Sequence, residues 1–554
     1  MILGAQLGLG QVLSVLRIRH STFHIPHSEF PSSDLRIPTS DLKNRRLAKL
    51  SPRNTIYSAN PSDRNTYCKV EKLKTEKPLQ DARTKTVATV GPACASVEML
   101  VKLLKAGADV FRINMAHGGR EAHEQAIANI RQASEKTGFP AGILIDLAGP
   151  KIRLGQLSKD PLEIQNGQQL RFIRGLESAN DQELTCNYES LVDEVTVGED
   201  IVLADGIARL EVTGKTADSL TCNVLDGGTI RSRQGVNLPG TNLSVPALGE
   251  VDIDNAIWAA GQGVEFVSLS FVRNASEVEQ LKKLLADNGS SAFVISKIEK
   301  AEAIDQLDSI IKATDGVMVA RGDLGVEIPI EKTPAAQKRI IKKCLQYRKP
   351  VIVATQMLES MHNSKQPTRA EVTDVANAIL DGADACMLSG ETAIGQYPVE
   401  AVSMMNKIMG ETEVAFASRS SRMTAHSDPT GWEISDGVVF GSAQIARRVS
   451  ACMVVIASTG TTTALLKSKQ RDYIPTVCVT DDINSFRKMS LFWGVIPVLC
   501  PTPIQDTKLR TFVNQWAESF TQAKPGAPFI IITDTEVLPG IHDSVLVARL
   551  GSGK

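Results

Sequence analysis

The chain has 554 residues, and at about 150 residues per domain this length predicts about three or four domains. Hydrophobic residues make up 42% and glycine accounts for 40 positions, a composition that excludes a wholly disordered or fibrous chain. Lys and Arg total 61 against 62 Asp and Glu, so the net charge is −1. A charge this small excludes a global field that would draw the chain to nucleic acid or to an acidic membrane.

The nine cysteines are scattered, odd in number and never in CxxC spacing. This usage argues against a disulfide framework or a zinc site and predicts reduced thiols. The longest uncharged stretch near the start, residues 1–16, is diluted by Gly and Gln and falls short of the ~20 apolar residues of a spanning helix. We therefore expect neither a membrane nor a nucleic-acid partner.

Residues 1–80 show no sustained helical or strand period and are rich in Ser and Arg. Two interpretations stay open. The segment is an unstructured or mis-started extension, in which case we expect a cytoplasmic protein. Alternatively it is an organelle transit peptide, since few acids accompany its arginines and serines, and the protein is then plastidic.

From Arg83 onward, short apolar runs rich in β-branched residues alternate with segments of helical period, and eight runs end in polar or glycine residues. Near-continuous apolar strands that alternate with helices are typical of a parallel sheet covered on both faces, and eight such repeats predict a (β/α)8 TIM barrel. The predicted strands are Thr86–Gly91, Val110–Asn114, Gly142–Leu147, Phe266–Phe271, Phe293–Glu299, Val317–Asp323, Val351–Gln356 and Ala385–Glu391.

The gap between the third and fourth runs is far longer than one crossover helix and contains short alternating strands and turn signals. We interpret it as an inserted β-rich lid domain, 153–248, placed at the carboxyl end of the barrel where barrel active sites lie. The barrel itself is expected over 81–152 and 249–412.

A second α/β pattern is predicted over 428–554, with strands at Met453–Ala457, Thr476–Thr480, Val495–Leu499 and Phe529–Thr533. Its first strand runs into a hydroxyl-rich turn, Ser458-Thr459-Gly460-Thr461-Thr462-Thr463, followed by a helix. The free N–H groups of such a turn could hold the phosphate of an effector. Ordinary capping of the helix by Ser and Thr explains the same composition.

Polar side chains stand at the ends of the predicted barrel strands, and barrel geometry brings them to one mouth. They are Arg112, Asn114, Asp146, Lys297, Glu299, Arg321, Asp323 and Thr355. A single acid at such a place is most simply a salt bridge on the rim. Polar tips of alternating sign on several strands instead indicate a shared site.

Glu299 and Asp323 offer hard oxygen ligands suited to Mg²⁺ or Mn²⁺, with no His or Cys beside them that would favour zinc. Lys297 lies two residues before Glu299, so both side chains point to the same face of a strand. A cation beside a metal is what a transferring phosphoryl group requires. Arg112 adds a planar fork for phosphate or carboxylate, and Gly322 would let backbone N–H groups approach the ligand.

The sequence from about Arg83 to its end resembles the pyruvate kinases. The runs that carry the resemblance, in the family order, are Gly235–Gly240 (GVNLPG), Ile295–Glu299 (ISKIE), Met318–Gly325 (MVARGDLG), Ala354–Ser360 (ATQMLES), Pro367–Glu371 (PTRAE) and Leu388–Thr392 (LSGET). The resemblance implies transfer of phosphate from phosphoenolpyruvate to ADP, giving pyruvate and ATP in the last step of glycolysis. It also implies a homotetramer.

The resemblance further implies individual roles. Lys297 would stabilise the phosphoryl group in flight, Glu299 and Asp323 would bind the catalytic Mg²⁺, and Arg112 would grip the phosphate. The backbone of Ala320, Arg321, Gly322 and Asp323 would seat the carboxylate, and Thr355 would orient substrate and serve the proton relay to the enolate. The nucleotide would meet Thr89, Pro92, Asn114, His117, Arg153 and the lid residue Asp205.

Departures from the family pattern bear on the monovalent cation. Where potassium-dependent members have Asn, Ser, Asp and Thr, this chain has Asn114, Ala116, Asp146 and Leu147, and only the backbone of Leu147 could still contribute. Lys151 stands where those members have Glu. A fixed ammonium can substitute for a bound cation, so we expect a vestigial cation site and no potassium requirement.

Two further departures concern nucleotide and effector. Gln234 stands where many members have a nucleotide-binding Lys, which predicts weaker ADP binding there. The stretch Thr535–Gly540 (TEVLPG) lacks the Trp and Arg of the family's fructose-1,6-bisphosphate loop. We therefore expect a smaller phosphorylated effector, if any, at Ser458–Thr463.

Two rival functions fit part of the same residue pattern. A metal-dependent aldolase or lyase would also use Glu and Asp on Mg²⁺ to stabilise an enolate. A phosphoenolpyruvate sensor without chemistry would explain the altered cation site. The cation Lys297, the lid and the C-terminal domain favour phosphoryl transfer over both.

Overall fold

The structure is a computed structural model and describes residues 55–57, 70–72, 82–241, 243–416, 433–500, 509–514, 524–533 and 544–551. The expectations for the N-terminal 80 residues therefore lie almost entirely outside the described residues, as does the loop Thr535–Gly540.

The strands in chain order are β1 Thr55–Tyr57, β2 Val70–Lys72, β3 Lys85–Thr89, β4 Val110–Asn114, β5 Gly142–Asp146, β6 Leu162–Ile164, β7 Gln169–Ile173, β8 Glu183–Leu184, β9 Asp200–Leu203, β10 Ala208–Lys215, β11 Ser219–Asp226, β12 Gly228–Ile230, β13 Val236–Asn237, β14 Phe266–Leu269, β15 Phe293–Ile298, β16 Gly316–Ala320, β17 Val351–Ala354, β18 Ala385–Leu388, β19 Val454–Ala457, β20 Thr476–Thr480, β21 Val495–Leu499, β22 Pro528–Thr533 and β23 Ser544–Arg549.

The helices are α1 Val97–Ala106, α2 Arg120–Thr137, α3 Leu191–Glu194, α4 Glu250–Gly261, α5 Ala275–Asp287, α6 Ala301–Asp305, α7 Leu307–Ala313, α8 Arg321–Glu327, α9 Thr333–Gln346, α10 Arg369–Asp381, α11 Gly390–Ala393, α12 Pro398–Phe416, α13 Glu433–Arg448, α14 Thr462–Lys469, α15 Ile483–Lys488 and α16 (509–514). Short 3-10 turns lie at Ala204–Gly206, Ile330–Lys332, Glu359–His362 and Met489–Leu491. Among the described helices, none is both long and apolar enough to cross a membrane.

Eight parallel strands close into a barrel in the order β14-β15-β16-β17-β18-β3-β4-β5. These are the eight strands that the sequence predicts, and the (β/α)8 fold class is confirmed. Most observed strands end one to three residues before the predicted ends, so Glu299, Asp323 and Thr355 lie just beyond their strands. Arg112, Asn114, Asp146 and Lys297 lie within the last residues of theirs. Both faces of each strand are covered, which explains why the runs are apolar throughout rather than alternating.

The inserted segment forms a six-stranded sheet, β13-β9-β10-β11-β7-β8, and a β12-β6 pair around a core of its own. It leaves the barrel after β5 and returns before α4. Its turn Ala204–Gly206 lies against α8, the helix that follows β16. The inserted domain thus covers the carboxyl end of the barrel, although the predicted boundaries at 152/153 and 248/249 stay predictions.

The C-terminal domain is a sheet in the order β21-β20-β19-β22-β23. The four predicted strands are present within a residue at their starts, and β23 is an antiparallel edge strand that the pattern did not reveal. The turn Met489–Leu491 of this domain shares a core with residues lining the barrel interior, among them Phe266 and Leu144. The domain therefore closes the amino end of the barrel.

The motif Pro367–Glu371 has a structural role at the start of α10. In Pro367–Glu371, the hydroxyl of Thr368 accepts the N–H of Glu371 while the Glu371 carboxylate accepts the N–H of Thr368, a capping box that starts α10. The same carboxylate accepts the N–H and hydroxyl of Ser360 at 2.7 and 2.6 Å. The cap thus also fixes the loop that follows β17.

Candidate active site

Lys297, near the end of β15, lies at the centre of the barrel mouth. Its Nζ is 2.9 Å from Oε1 of Glu299 and 3.4 Å from Oδ1 of Asp146, and it donates a hydrogen bond of 2.8 Å to the hydroxyl of Ser270. The two-residue spacing places Lys297 and Glu299 on one side of the strand, as expected. Burial alone would lower the pKa of this ammonium, but Asp146 and Glu299 raise it above its ordinary value. Lys297 is a permanent cation held in one position.

Asp146, at the end of β5, joins Lys297 to Arg112. Its Oδ2 accepts a 2.7 Å hydrogen bond from Nε of Arg112, and Nη2 of Arg112 lies 2.6 Å away. The hydroxyl of Ser268 donates to Oδ1 at 2.5 Å. Burial acts to raise the pKa of Asp146, but Lys297 and then Arg112 outweigh it and lower the pKa to about 2. The Arg112 fork is therefore oriented by a carboxylate that stays ionised.

Glu299 is fully buried and holds its carboxylate beside that of Asp323. Its Oε2 accepts the N–H of Phe271 at 2.7 Å, whereas Oε1 makes no hydrogen bond of good geometry although Lys297 is near. Burial is the main reason that the pKa of Glu299 rises to about 7; Lys297 opposes the rise and the Asp323 carboxylate adds to it. A buried oxygen with unused capacity beside a second carboxylate is the arrangement that a divalent cation stabilises.

The donor set fits the metal that the sequence predicts. Glu299 follows β15 and Asp323 lies in the first turn of α8, so two oxygen ligands come from neighbouring strands of the barrel. Asp323 is half-buried and lines the cleft between barrel and inserted domain. Oxygen-only ligands with room for water and substrate suit Mg²⁺ or Mn²⁺.

Thr355, directly after β17, has a backbone φ of +68°, in the left-handed region that non-glycine residues rarely adopt. Its hydroxyl accepts the N–H of Gly322 at 2.8 Å. A Cβ at Gly322 would lie 3.6 Å from that hydroxyl, an ordinary contact, so close packing alone does not require glycine here. The strained backbone turns the Thr355 hydroxyl towards the start of α8.

Arg321 is directed away from the metal ligands. Its Nη1 lies 2.7 Å from Asp374, and its Nη2 donates to the carbonyl of Thr355 at 2.7 Å. Its Nε donates to the carbonyl of Ala354 at 3.3 Å. The guanidinium therefore fixes the end of β17.

The residues predicted to bind the nucleotide differ in burial and in their hydrogen-bond partners. Thr89 is buried and accepts a 3.2 Å hydrogen bond from Nη1 of Arg112. Pro92 and His117 are exposed, and Arg153 donates from Nη1 to the carbonyl of Arg233 at 3.1 Å. Asn114 is half-buried. The side chain of Asp205 lies outside the described residues, although its turn is the one that contacts α8.

The residues of the predicted monovalent-cation site are already engaged. Oδ1 of Asn114 accepts the N–H of Ala116, and the carbonyl of Leu147 accepts the hydroxyl of Ser270 at 2.7 Å. Asp146 has the partners given above. Lys151 is half-buried and lines the same cleft as Asp323.

The predicted effector turn lies between β19 and α14. Ser458 is buried and its hydroxyl accepts the N–H of Gly460 at 3.1 Å. Thr461, the residue preceding α14, makes no side-chain capping bond. Ser458 therefore stabilises the turn itself, and no hydroxyl group of Ser458–Thr463 caps α14.

Three residues of the mouth escaped the sequence analysis: Ser268, Ser270 and Phe271. The two serines hold Asp146 and Lys297, and Phe271, with a φ of +54°, gives its N–H to Glu299. A signal for the serines was present, since Ser268 and Ser270 alternate in the run Phe266–Phe271 and so share one face. Nothing in the sequence marks the strained backbone of Phe271.

Fold and site together indicate a class: a barrel enzyme whose mouth holds a fixed ammonium and a guanidinium near carboxylates of a kind that suits a divalent metal, under an inserted domain. Comparison with known proteins gives the family. Residues 81–402 match the sequence family "Pyruvate kinase, barrel domain" and residues 436–548 match "Pyruvate kinase, alpha/beta domain".

Among curated relatives, the pyruvate kinase of Geobacillus stearothermophilus is 42% identical over 418 residues, 74% of this chain and 71% of the relative. Pyruvate kinase 2 of Synechocystis is 43% identical over 421 residues, 75% of this chain and 70% of the relative. A crystal structure of a pyruvate kinase from Cryptosporidium parvum superposes with a TM-score of 0.80 at 33% identity, covering 85% of this chain and 96% of that one.

The chain therefore belongs to the pyruvate kinase family and is an enzyme of the transferase class. Its substrates are phosphoenolpyruvate and ADP, its products are pyruvate and ATP, and a divalent metal ion takes part.

Proposed function

We propose that this chain transfers the phosphoryl group with Lys297 and Arg112 as its cationic groups, with Mg²⁺ on Glu299 and Asp323, and without potassium. The observation that supports the proposal most strongly is the position of Lys297. Its ammonium lies within 3.4 Å of two buried carboxylates and beside the predicted metal ligands. A cation so fixed needs no reorganisation when charge develops in the transition state.

In the reaction a β-phosphate oxygen of ADP attacks the phosphorus of phosphoenolpyruvate while the bond from phosphorus to the enol oxygen breaks. The electron pair of that bond goes to the enolate, which then takes a proton at its methylene carbon to become pyruvate. Lys297 neutralises the oxygens of the phosphoryl group in transit, and Arg112 orients them through its planar fork. The bound metal would neutralise further phosphoryl and enolate oxygen charge.

The substrate carboxylate is assigned to the backbone of Ala320–Asp323 at the start of α8, since the N-terminus of a helix attracts an anion. Thr355 is placed next to it and would pass the proton to the enolate. Arg321 acts in this scheme as a positioning residue, since its guanidinium holds the carbonyls of Ala354 and Thr355. Pro92, Asn114, His117, Arg153 and the lid turn with Asp205 would receive the nucleotide. Thr89 is buried, so it would act there through its hydrogen bond with Arg112.

A coupled assay with phosphoenolpyruvate, ADP and Mg²⁺ tests the activity. We expect pyruvate and ATP in equal amounts. Binding of phosphoenolpyruvate without turnover would instead indicate a sensor, and carbon–carbon bond chemistry without ATP would indicate a lyase.

Potassium independence rests on two features of charge. Asp146, a predicted cation ligand, already has the Lys297 and Arg112 cations as partners. Among the described residues, the ammonium of Lys151 has no hydrogen-bond or ion-pair partner and lines the cleft. It is therefore available to supply the positive charge that a potassium ion would bring.

We expect equal turnover in KCl and in tetramethylammonium chloride at the same ionic strength. Lys151→Glu should create a potassium requirement, with turnover at least tenfold higher in KCl. Lys159→Glu, a charge reversal at an exposed position of the inserted domain, is the matched control and should leave the ratio at one. A wild-type turnover near zero in tetramethylammonium would refute the proposal.

For regulation, we assign a phosphorylated effector to Ser458–Thr463, supported by the uncapped start of α14. Calorimetry with sugar monophosphates tests this, and no heat with any of them would refute it. Whether a bisphosphate binds depends on Thr535–Gly540, outside the described residues.

A homotetramer is proposed on the family resemblance, and an exposed sheet edge supports self-association. β23 is the edge of the C-terminal sheet and exposes Val547 at 55% and Leu546 at 40%. An apolar open edge of this kind is usually covered by another chain. Mass photometry should show four chains per particle, and Val547→Asp should shift the distribution to smaller particles.

A further inference from the structure

A second cluster of metal-ligating side chains lies on the loops that follow β17 and β18. Glu359 and His362 belong to the 3-10 turn after β17, and Glu391 belongs to α11 after β18. One ligand atom of each residue lies within 4.8 Å of the others. The predicted Mg²⁺ ligands come from the loops after β15 and β16, so the two groups stand on different strands of the barrel.

The imidazole of His362 is the unusual member of the cluster. Its Nε2 is shielded from solvent and has no hydrogen-bond partner, although carboxylate oxygens of Glu359 and Glu391 lie 3.7 and 4.0 Å away. These distances are too long for hydrogen bonds. Ligand atoms of a tetrahedral metal ion with bonds near 2.1 Å lie about 3.4 Å apart, so the 3.7 and 4.0 Å separations would each shorten by a few tenths of an ångström when an ion binds.

Two of the three ligands are held in place by their surroundings. The ring of His362 packs on Gly390 so closely that a Cβ there would lie 2.3 Å from Nε2. The oxygens of Glu391 accept the N–H groups of Leu358 and Ser389 at 3.2 and 2.7 Å. Backbone partners of this kind orient metal ligands in known sites. Glu359 is about half exposed, so it is free to rotate and to leave a position open to water.

We propose that Glu359, His362 and Glu391 form a second metal site, specific for a borderline transition-metal ion such as Zn²⁺. One imidazole nitrogen and two carboxylate oxygens favour such an ion over Mg²⁺, which prefers oxygen ligands alone. The ion would join the loop after β17, which carries Thr355, to the loop after β18. It would therefore stiffen one side of the barrel mouth without contacting the reacting groups.

The experiment uses the full chain, stripped of metal and then saturated with Mg²⁺ so that the Glu299 and Asp323 site is filled. Zn²⁺ is titrated against a chromophoric chelator, and Co²⁺ serves as a spectroscopic probe. We expect one tight ion per chain with a tetrahedral Co²⁺ spectrum that has no thiolate charge-transfer band. His362→Gln and Glu359→Gln should each weaken Zn²⁺ binding at least tenfold, and bound Zn²⁺ should raise the melting temperature of the parent only.

Three controls keep the test specific. Glu299→Gln must retain the Zn²⁺ site. Glu400→Gln removes an exposed carboxylate elsewhere and must bind Zn²⁺ as the parent does. Joint replacement of His20, His24 and His27 must leave Zn²⁺ binding unchanged. Equal affinity in the parent and in both cluster variants would overturn the proposal, as would loss of the site in Glu299→Gln. Glu359 is exposed, so its variant should fold even if His362→Gln does not.

Discussion

The two ends of the barrel each bury a lysine beside a carboxylate, with opposite results. At the carboxyl end, Lys297 lies near Asp146 and Glu299, all three from the barrel itself. At the amino end, Lys469 of the C-terminal domain lies 2.5 Å from Asp384, the residue before β18, and Arg471 of that domain lies 3.1 Å from the other oxygen of Asp384. One cluster faces the cleft and the other fastens a domain to the barrel.

Burial by itself acts to lower the pKa of the ammonium groups of Lys297 and Lys469. At Lys297 the two nearby carboxylates reverse this effect and the pKa rises. At Lys469 burial prevails and the pKa falls to about 8, because its single carboxylate is shared with Arg471. The mouth has an excess of carboxylates, which suits a metal and a cation that must stay charged, whereas at the amino end two cations share the carboxylate of Asp384.

The largest expected difference between the two lysines is in turnover. Lys297→Met should lower kcat by ~10²–10³ or more, since it removes a fixed cation from the transition state. Lys469→Met should change kcat less than threefold in the same coupled assay. Similar losses in both variants would contradict the separation of the two clusters into a catalytic and a structural one.

A second prediction concerns pH and the metal. Burial raises the pKa of Glu299 to about 7, above its usual 4.5, so protons compete with the metal below pH 7. The Mg²⁺ dissociation constant, measured by calorimetry from pH 6 to pH 8, should be flat above 7. It should rise about tenfold per pH unit below 7. Glu299→Gln should bind weakly at every pH, and a flat wild-type profile would contradict the assignment.

Ser270→Ala tests how much the orientation of Lys297 contributes to the rate of catalysis. The variant loses the 2.8 Å hydrogen bond from Lys297 and the 2.7 Å bond to the carbonyl of Leu147. One hydrogen bond to a charged group corresponds to about tenfold in rate. We expect kcat to fall about tenfold with KM for ADP unchanged, and a change in KM alone would argue against a positioning role.

The last prediction concerns the stability of the folded chain as the pH rises, with Lys469 as the titrating group. We expect its effect on activity to be the smallest of the four. Its folded pKa of about 8 lies below the unfolded value near 10.5, so the unfolded chain binds more protons between these values. The contribution of this group to stability is therefore unfavourable below pH 8 and improves from pH 8 to 10.5. The melting temperature of the wild type relative to Lys469→Met should rise over that range; a constant difference would refute the pKa assignment.

Much of the site could be predicted because it depends on residues that are close together in the sequence. Lys297 and Glu299 share a face through the period of a strand, and the ends of parallel strands must meet at one edge of a barrel. The roles of Ser268 and Ser270 were not predictable in this way, because their partners Asp146 and Lys297 lie on other strands. The contact of Arg321 with Asp374, which turns its guanidinium away from the mouth, was not predictable from spacing either.

By itself the sequence determined the eight strands, the inserted domain, the C-terminal domain and the set of polar tips, since apolar periodicity and chain order depend on neighbouring residues. Only the tertiary structure decided which atoms of those tips meet. It placed Asp146 between Lys297 and Arg112, and left one buried oxygen of Glu299 without a hydrogen bond. It also bent Phe271 and Thr355 into positive φ. Ion pairs and backbone strain depend on contacts between strands far apart in the chain, and closure of the barrel is what creates those contacts.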